Sequence, residues 1–182
     1  VGIYVINLEN KIVLFDLPTY SKELEKYLIE KKKPITAFLS HGSTGIPDGK
    51  IWQKNLALKI YLHEADQNNS WLSLKPDILF KDIPFIDKNI EIIHTPGHSK
   101  GSICLDDHET KTLLTGDTFG GTKKGTVKDF RIEDARNDIP KRLLSCKKVL
   151  NYDFKTVLPF HYEPIIGSGK KALQDFINVV GI

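Results

Sequence analysis

Methionine is absent from this chain of 182 residues, cysteine occurs twice, and no apolar run approaches the length that would cross a bilayer. Each scarcity excludes something. Cys104 and Cys146 are neither close in sequence nor spaced like a zinc knuckle, so a disulfide-stapled fold is not expected and free thiols in a reducing compartment are. Charge of one sign is also lacking: 26 Lys and Arg against 23 Asp and Glu leave a net charge of +3, with no polybasic face for nucleic acid or for a membrane. The chain opens directly on "VGIYVI" without a signal peptide, which makes a soluble, cytoplasmic protein the default expectation. With no initiator methionine, the true N-terminus is treated as unseen. What remains is ordinary globular composition, 40% apolar and 27% charged, and enough length for one domain over residues 1–182 to bury a core without staples.

The hydrophobic pattern alternates strands and helices. "GIYVI" and "KIVLF" read as two strands around the polar turn "NLEN". Ser21 is placed to cap a helix carrying Leu24, Tyr27 and Leu28, and Pro34 stops it. "ITAFLS" is a short buried strand, a brief helix spans Ile51 to Leu58, and "KIYLHEA" is the next strand. The middle of the chain, "IEIIHTPGHSKGSICL" and "TKTLLTGDTF", reads as two strand-loop-strand passages with "DDHE" as a hairpin turn. Ile139, Leu143, Cys146 and Leu150 then form one helical face with Pro140 in the first turn, "KTVLPF" is a final strand, and Leu173, Phe176, Ile177 and Val180 face inward from a last helix. The architecture expected is mixed α/β, with helices covering sheets.

Four side chains that can bind metal lie at or just beyond the carboxyl ends of these strands: His41, His98, Asp117 and His161. Taken singly, a loop histidine is usually structural, and an aspartate in a Gly-Asp-Thr turn usually bonds backbone amides. Taken together, three imidazoles and a carboxylate suit zinc, or iron or manganese.

"KIVLFDLPTY", "HTPGHSKGSICL", "LLTGDTF" and "VLPFHYEPI" occur in this order over roughly residues 2 to 180, and by them the chain resembles the metallo-β-lactamase-fold superfamily. That resemblance implies an αββα sandwich of two mixed sheets between helices, with the metal site at one edge. It also implies a signature loop, His-x-His-x-Asp-His, that this chain carries only in reduced form. In the frame starting at His41, Ser43 stands where the second histidine belongs, Gly45 replaces the aspartate and Ile46 the last histidine. Carried over by position, His41 and His98 remain of the first metal site, Asp117 of the bridging position and His161 of the second.

So few ligands argue against two metals. The reading is a metal-dependent hydrolase with a reduced, mononuclear site holding one divalent metal, zinc before iron or manganese. Its ligands come from His41, His98, Asp117 and His161, with Asp117 and His161 as the catalytic pair and a small molecule as substrate. The alternative is a catalytically inactive member, with no metal, serving as a binding or scaffold protein. A nucleic-acid processing role lacks a basic surplus to support it.

Several residues take plainer readings. Asp48 is expected to cap the helix that follows it rather than to ligate metal. His63 and His94 are read as structural, His108 as a hairpin residue, and "GSGK" as a helix start. Gly120 to Lys128 is read as a mobile, solvated loop, and Trp52 and Trp71 as core or rim packing.

Overall fold

A computed structural model describes residues 1–44, 48–72, 74–131 and 137–181 of the chain. Within them are nine strands and four α-helices. The chain divides into two compact units, residues 3–81, and residues 82–182 together with Val1 and Gly2.

The first unit contains β1 (Tyr4–Asn7), β2 (Ile12–Phe15), α1 (Lys22–Glu30), β3 (Ile35–Phe38), α2 (Gly49–Leu56), β4 (Lys59–His63) and β5 (Ile78–Phe80). Its sheet runs in the order β1-β2-β3-β4-β5; β1 and β2 are antiparallel, and β2 to β5 are parallel. Parallel neighbours need a crossover, and α1 and α2 supply the first two. Ser21 caps α1 as the sequence predicts, its hydroxyl accepting from the Leu24 amide at 3.2 Å. Trp52 of α2 is fully buried among Leu14, Leu28, Ala37 and Ile60, and its indole N–H donates to the Pro18 carbonyl at 2.8 Å. Trp71, in contrast, is 60% exposed and belongs to the rim.

Two expectations need correction here. Asp48 occupies the N-cap position of α2 but makes no side-chain cap bond; its carboxylate instead accepts the Tyr20 amide at 2.9 Å. That amide lies just before α1, outside any ladder, and the longer-range bond wins over the local one. The strand expected to run to Ala65 stops at His63, whose Nδ1 accepts the Ala65 amide at 3.2 Å and turns the chain into a 3-10 turn, Glu64–Asp66. His63 is thereby structural. Gly45 and Ile46, two of the replaced signature positions, lie outside the described residues.

The second unit contains β6 (Ile90–His94), β7 (Ile103–Asp107), β8 (Thr112–Gly116), α3 (Ile139–Val149), β9 (Thr156–Pro159) and α4 (Gly169–Val180). Its sheet order is β6-β7-β8-β9, antiparallel except for the parallel pair β8 and β9. The β7-β8 turn falls two residues later than "DDHE" suggested, because Asp107 ends the strand and its carboxylate accepts the amides of Glu109 and Thr110 at 3.1 and 3.2 Å. Helix α3 is capped by Asp138, whose carboxylate accepts the Lys141 amide at 3.1 Å, with Pro140 in the first turn as expected. Leu143, Cys146 and Val149 bury its apolar stripe, and Gly181 ends α4 in the left-handed region at φ 71°.

Gly120 to Lys128 is not a loose loop. Gly121 bridges Val127, Thr122 and Thr126 are bonded through main chain (2.9 Å) and hydroxyls (2.8 Å), and Gly121 exchanges two main-chain bonds with Glu163. Val127 enters the core of the unit, so this hairpin is tied to the segment that carries His161. The thiols of Cys104 and Cys146 are buried and unpaired with each other, and burial pushes Cys104 up to about 11 and Cys146 higher still. Both are protonated packing residues at neutral pH. Among the described residues, no helix is long and apolar enough to cross a membrane.

One buried carboxyl makes stability depend on pH. Asp106 of β7 pairs across the ladder with Glu91 of β6, has a fully buried side chain, and lies 2.7 Å from Nδ1 of His108. Burial pushes its pKa up to about 6, against the pull of His108 and with the push of Glu91. A folded-state pKa above the unfolded value means that the fold binds this proton more tightly, so the contribution is present at low pH and lost as pH rises through about 6. Asp106→Asn should therefore exceed the parent in stability at pH 7.5 by on the order of 2 kcal/mol, the gap closing toward pH 4 in urea titrations. A gap that does not change with pH would contradict this.

Candidate metal centre

The ligand candidates of the second unit sit on three loops, each leaving the end of a strand. Asp117 follows β8, where Gly116 adopts φ 51° and Thr118 N–H closes a turn onto the Thr115 carbonyl at 2.9 Å. The Thr115 hydroxyl donates to the Phe119 carbonyl at 2.6 Å and tightens the same turn. Asp117 is 8% exposed, so its carboxylate has lost most of its water and needs partners.

His161 supplies one partner. It follows β9, which lies beside β8, and its main-chain N–H donates to Asp117 Oδ1 at 3.2 Å while its ring Nδ1 lies 2.9 Å from both carboxylate oxygens. At that distance Nδ1–H donates to the carboxylate, and the ring is half-exposed. The next residue, Tyr162, is held at φ 73°, a left-handed conformation that costs energy for a tyrosine.

His98 supplies another. Its loop is folded on itself by Thr95 N–H to the Ser102 carbonyl at 2.8 Å, Gly97 N–H to the Ser99 carbonyl at 2.9 Å, and Ser99 N–H to the Ser102 hydroxyl at 2.9 Å. His98 Nε2 then stands 3.5 Å from Asp117 Oδ2. This is long for a hydrogen bond, but it is close to the edge of a ligand tetrahedron, about 3.3 Å for metal bonds of about 2.0–2.1 Å. The donor set of imidazole nitrogen and carboxylate oxygen at this separation fits a divalent metal such as zinc, iron or manganese. His94, at the head of the same loop, bonds the Lys100 carbonyl through Nε2 at 2.9 Å and is structural.

In the first unit, His41 follows β3 by the length of a short buried turn and is 1% exposed. Two buried carboxylates fasten this turn. Asp16, itself in the left-handed region at φ 66°, accepts the Ser40 amide at 2.7 Å, and Asp66 accepts the Gly42 amide at 2.7 Å. A Cβ at Gly42 would lie 2.7 Å from that of Asn69, so the turn has no room for a larger residue. The hydroxyl of Ser40 meets Nδ1 of His41 at 2.7 Å and orients the ring.

Sequence reading missed the residues that hold these loops. Asp16 and Asp66 gave no signal beyond lying at strand ends. Arg142 drew no reading from the sequence; it is 1% exposed, and its guanidinium donates to the main-chain carbonyls of Asp117 (2.6 Å) and Thr118 (2.8 Å) while lying 4.1 Å over the Phe130 ring.

The family model described as the metallo-beta-lactamase superfamily matches residues 15–161, and the chain belongs to that superfamily. Curated relatives include the acyl-coenzyme A thioesterase MBLAC2 of Gallus gallus, 31% identical over 102 residues that make up 53% of this chain and 34% of that protein. MBLAC2 of Homo sapiens is 40% identical over 66 residues, 34% of this chain and 24% of that protein. The chain thus spans about a third or less of the length of these relatives. Among solved structures, VMB-1 is similar with a TM-score of 0.75 at 21% identity, covering 98% of this chain and 84% of that one. A metallo-beta-lactamase from Pontibacter korlensis matches with a TM-score of 0.74 at 17% identity, covering 97% and 85%. TTHA1623, crystallised in a di-iron-bound form, matches with a TM-score of 0.68 at 20% identity, covering 96% and 93%. These likenesses show the fold: the metallo-β-lactamase type expected from the sequence is borne out.

The close seat of the His98 loop gives a stability prediction. Gly97 has φ 141°, and a Cβ there would lie 2.3 Å from the main-chain N and Cα of Arg142. Gly97→Ala should cost about 3 kcal/mol or more in urea denaturation, since neither backbone can give way cheaply. A cost below about 1 kcal/mol would show that the loop does not rest on α3 in solution.

Proposed function

We propose that the protein is a mononuclear metal-dependent hydrolase acting on acyl thioesters. The observation that carries this reading is the 3.5 Å approach of His98 Nε2 to Asp117 Oδ2, beside a His161 ring bonded to the same carboxylate. His98 and Asp117 of the second unit are the proposed ligands, with His41 kept as the third candidate from the sequence and zinc as the metal. Ser40 engages Nδ1 of His41, so ligation through that ring would use Nε2. A divalent metal bound there supplies Lewis acidity and lowers the pKa of a coordinated water to ~7.

The chain's own residues do the rest. Asp117 holds the Nδ1 proton of His161, fixing the tautomer in which Nε2 can accept a proton from the attacking water and return it to the departing thiolate. In balance, the thioester C–S bond breaks, a C–O bond forms, and water is divided between a carboxylic acid and a thiol. His161 lies in the second sphere in this scheme, as a base rather than a ligand. The thioester class is supported by the curated relatives, which are acyl-coenzyme A thioesterases.

The inactive alternative, a binding or scaffold protein, is favoured by one feature: Ser43, Gly45 and Ile46 carry no ligand where the full signature has three. Elemental analysis after reconstitution separates the two readings. The hydrolase reading expects close to one equivalent of zinc, lost in His98→Ala and in Asp117→Ala, and release of free thiol from acyl-coenzyme A substrates. His161→Ala should keep the metal and lose about 10²- to 10⁴-fold in kcat. Less than a tenth of an equivalent, with stability unchanged by chelator, would establish the inactive reading.

A further inference from the structure

Helix α3 presents a polar stripe that neither the apolar periodicity nor the proposed chemistry uses. Asp138, Arg142, Ser145 and Lys148 follow one another at helical spacing along it. Every one of them bonds to a ligand-bearing loop. The Asp138 amide donates to the Gly97 carbonyl at 2.8 Å, the Ser145 hydroxyl to the Pro96 carbonyl at 2.7 Å, and the Lys148 ammonium to the His94 carbonyl at 3.0 Å. Arg142, between them, takes the carbonyls of Asp117 and Thr118. The two loops also meet directly through the hydroxyls of Thr95 and Thr118 at 2.9 Å.

We infer that Arg142 is a positioning residue for the metal centre, and that α3 acts as a splint fixing the His98 and Asp117 loops relative to each other. The inference rests on His98 and Asp117 being ligands, as proposed above. The guanidinium suits the task for three reasons. Its planar fork reaches two successive carbonyls, which an ammonium cannot do. Its charge makes both bonds charge-assisted in a buried setting, where a donor to carbonyls is strong and its loss is felt fully. The Phe130 face at 4.1 Å fixes the plane of the fork. Because Gly97 abuts the helix backbone at Arg142 itself, a shift of the helix there displaces both loops together.

The test uses two readouts on Arg142→Lys and Arg142→Met, with Ser145→Ala as a milder probe that spares the buried charge. Hydrogen exchange on chelator-treated protein follows the amides of residues 95–99 and 117–119. Exchange should quicken about tenfold or more in both segments in each Arg142 variant while β1 to β5 are unchanged, with Met more affected than Lys. Ser145→Ala should loosen residues 95–99 and, through the helix, 117–119 by a smaller factor. Exchange confined to residues 117–119, or unchanged in both segments, would overturn the splint. Zinc alone, titrated against a competing chelator, is the second readout: folded Arg142→Lys should bind about 10- to 100-fold more weakly than the parent. Equal zinc affinity in the two folded proteins would overturn the positioning role. Failure of the parent to bind zinc would refute the proposed function, and the exchange data would still decide whether α3 couples the loops.

Discussion

A nearly buried carboxylate is the constraint around which the second unit is organised. Asp117 has given up its water, and a desolvated anion is tolerated only where donors surround it. The main-chain amide and ring of His161 bond its oxygens, His98 stands at 3.5 Å, and a guanidinium holds the carbonyl of the same residue. These contacts come from three different segments of the chain. The β8-β9 pairing, the folded loop at Thr95 to Ser102 and the seat of α3 on that loop all serve to place a donor near one carboxyl group.

The same logic explains the division of labour between strands and loops. In each unit the ligand candidates follow strand ends, and the loops that carry them are short and bonded to something rigid. In the first unit the rigid points are the carboxylates of Asp16 and Asp66, which bond the amides flanking His41. In the second unit they are the polar stripe of α3 and the hairpin that bonds Glu163. Non-glycine residues held in the left-handed region at Asp16 and Tyr162 mark where this placement overrides local preference. Such strain sits one step from a ligand candidate in the case of Tyr162, which follows His161 directly.

What the sequence disclosed follows from the range of the forces involved. Local signals were legible: the Ser21 cap, Pro140 in the first turn of α3, the apolar stripe of Leu143 and Cys146, and Gly181 closing α4. The placement of His41, His98, Asp117 and His161 after strand ends was legible too, because a loop after a β-rich run needs no long-range information to recognise. Asp48 misled because its N-cap position is local while its partner, the Tyr20 amide, lies 28 residues away. The strand β5 is three residues long, too short for any periodicity to show. The hairpin at 120–128 resembled a solvated loop by composition, yet Val127 and the bond to Glu163 pin it. Arg142 was invisible for a deeper reason: its partners are main-chain carbonyls, which leave no trace in side-chain identity.

The central claim is that a reduced signature still leaves a site for one metal, centred on Asp117. Anomalous difference density from crystals of zinc-reconstituted protein tests it most directly. The predicted result is a single peak about 2.0–2.2 Å from both His98 Nε2 and Asp117 Oδ2, with His161 Nδ1 still bonded to the carboxylate. Two peaks flanking Asp117, or none at full zinc loading, would contradict it.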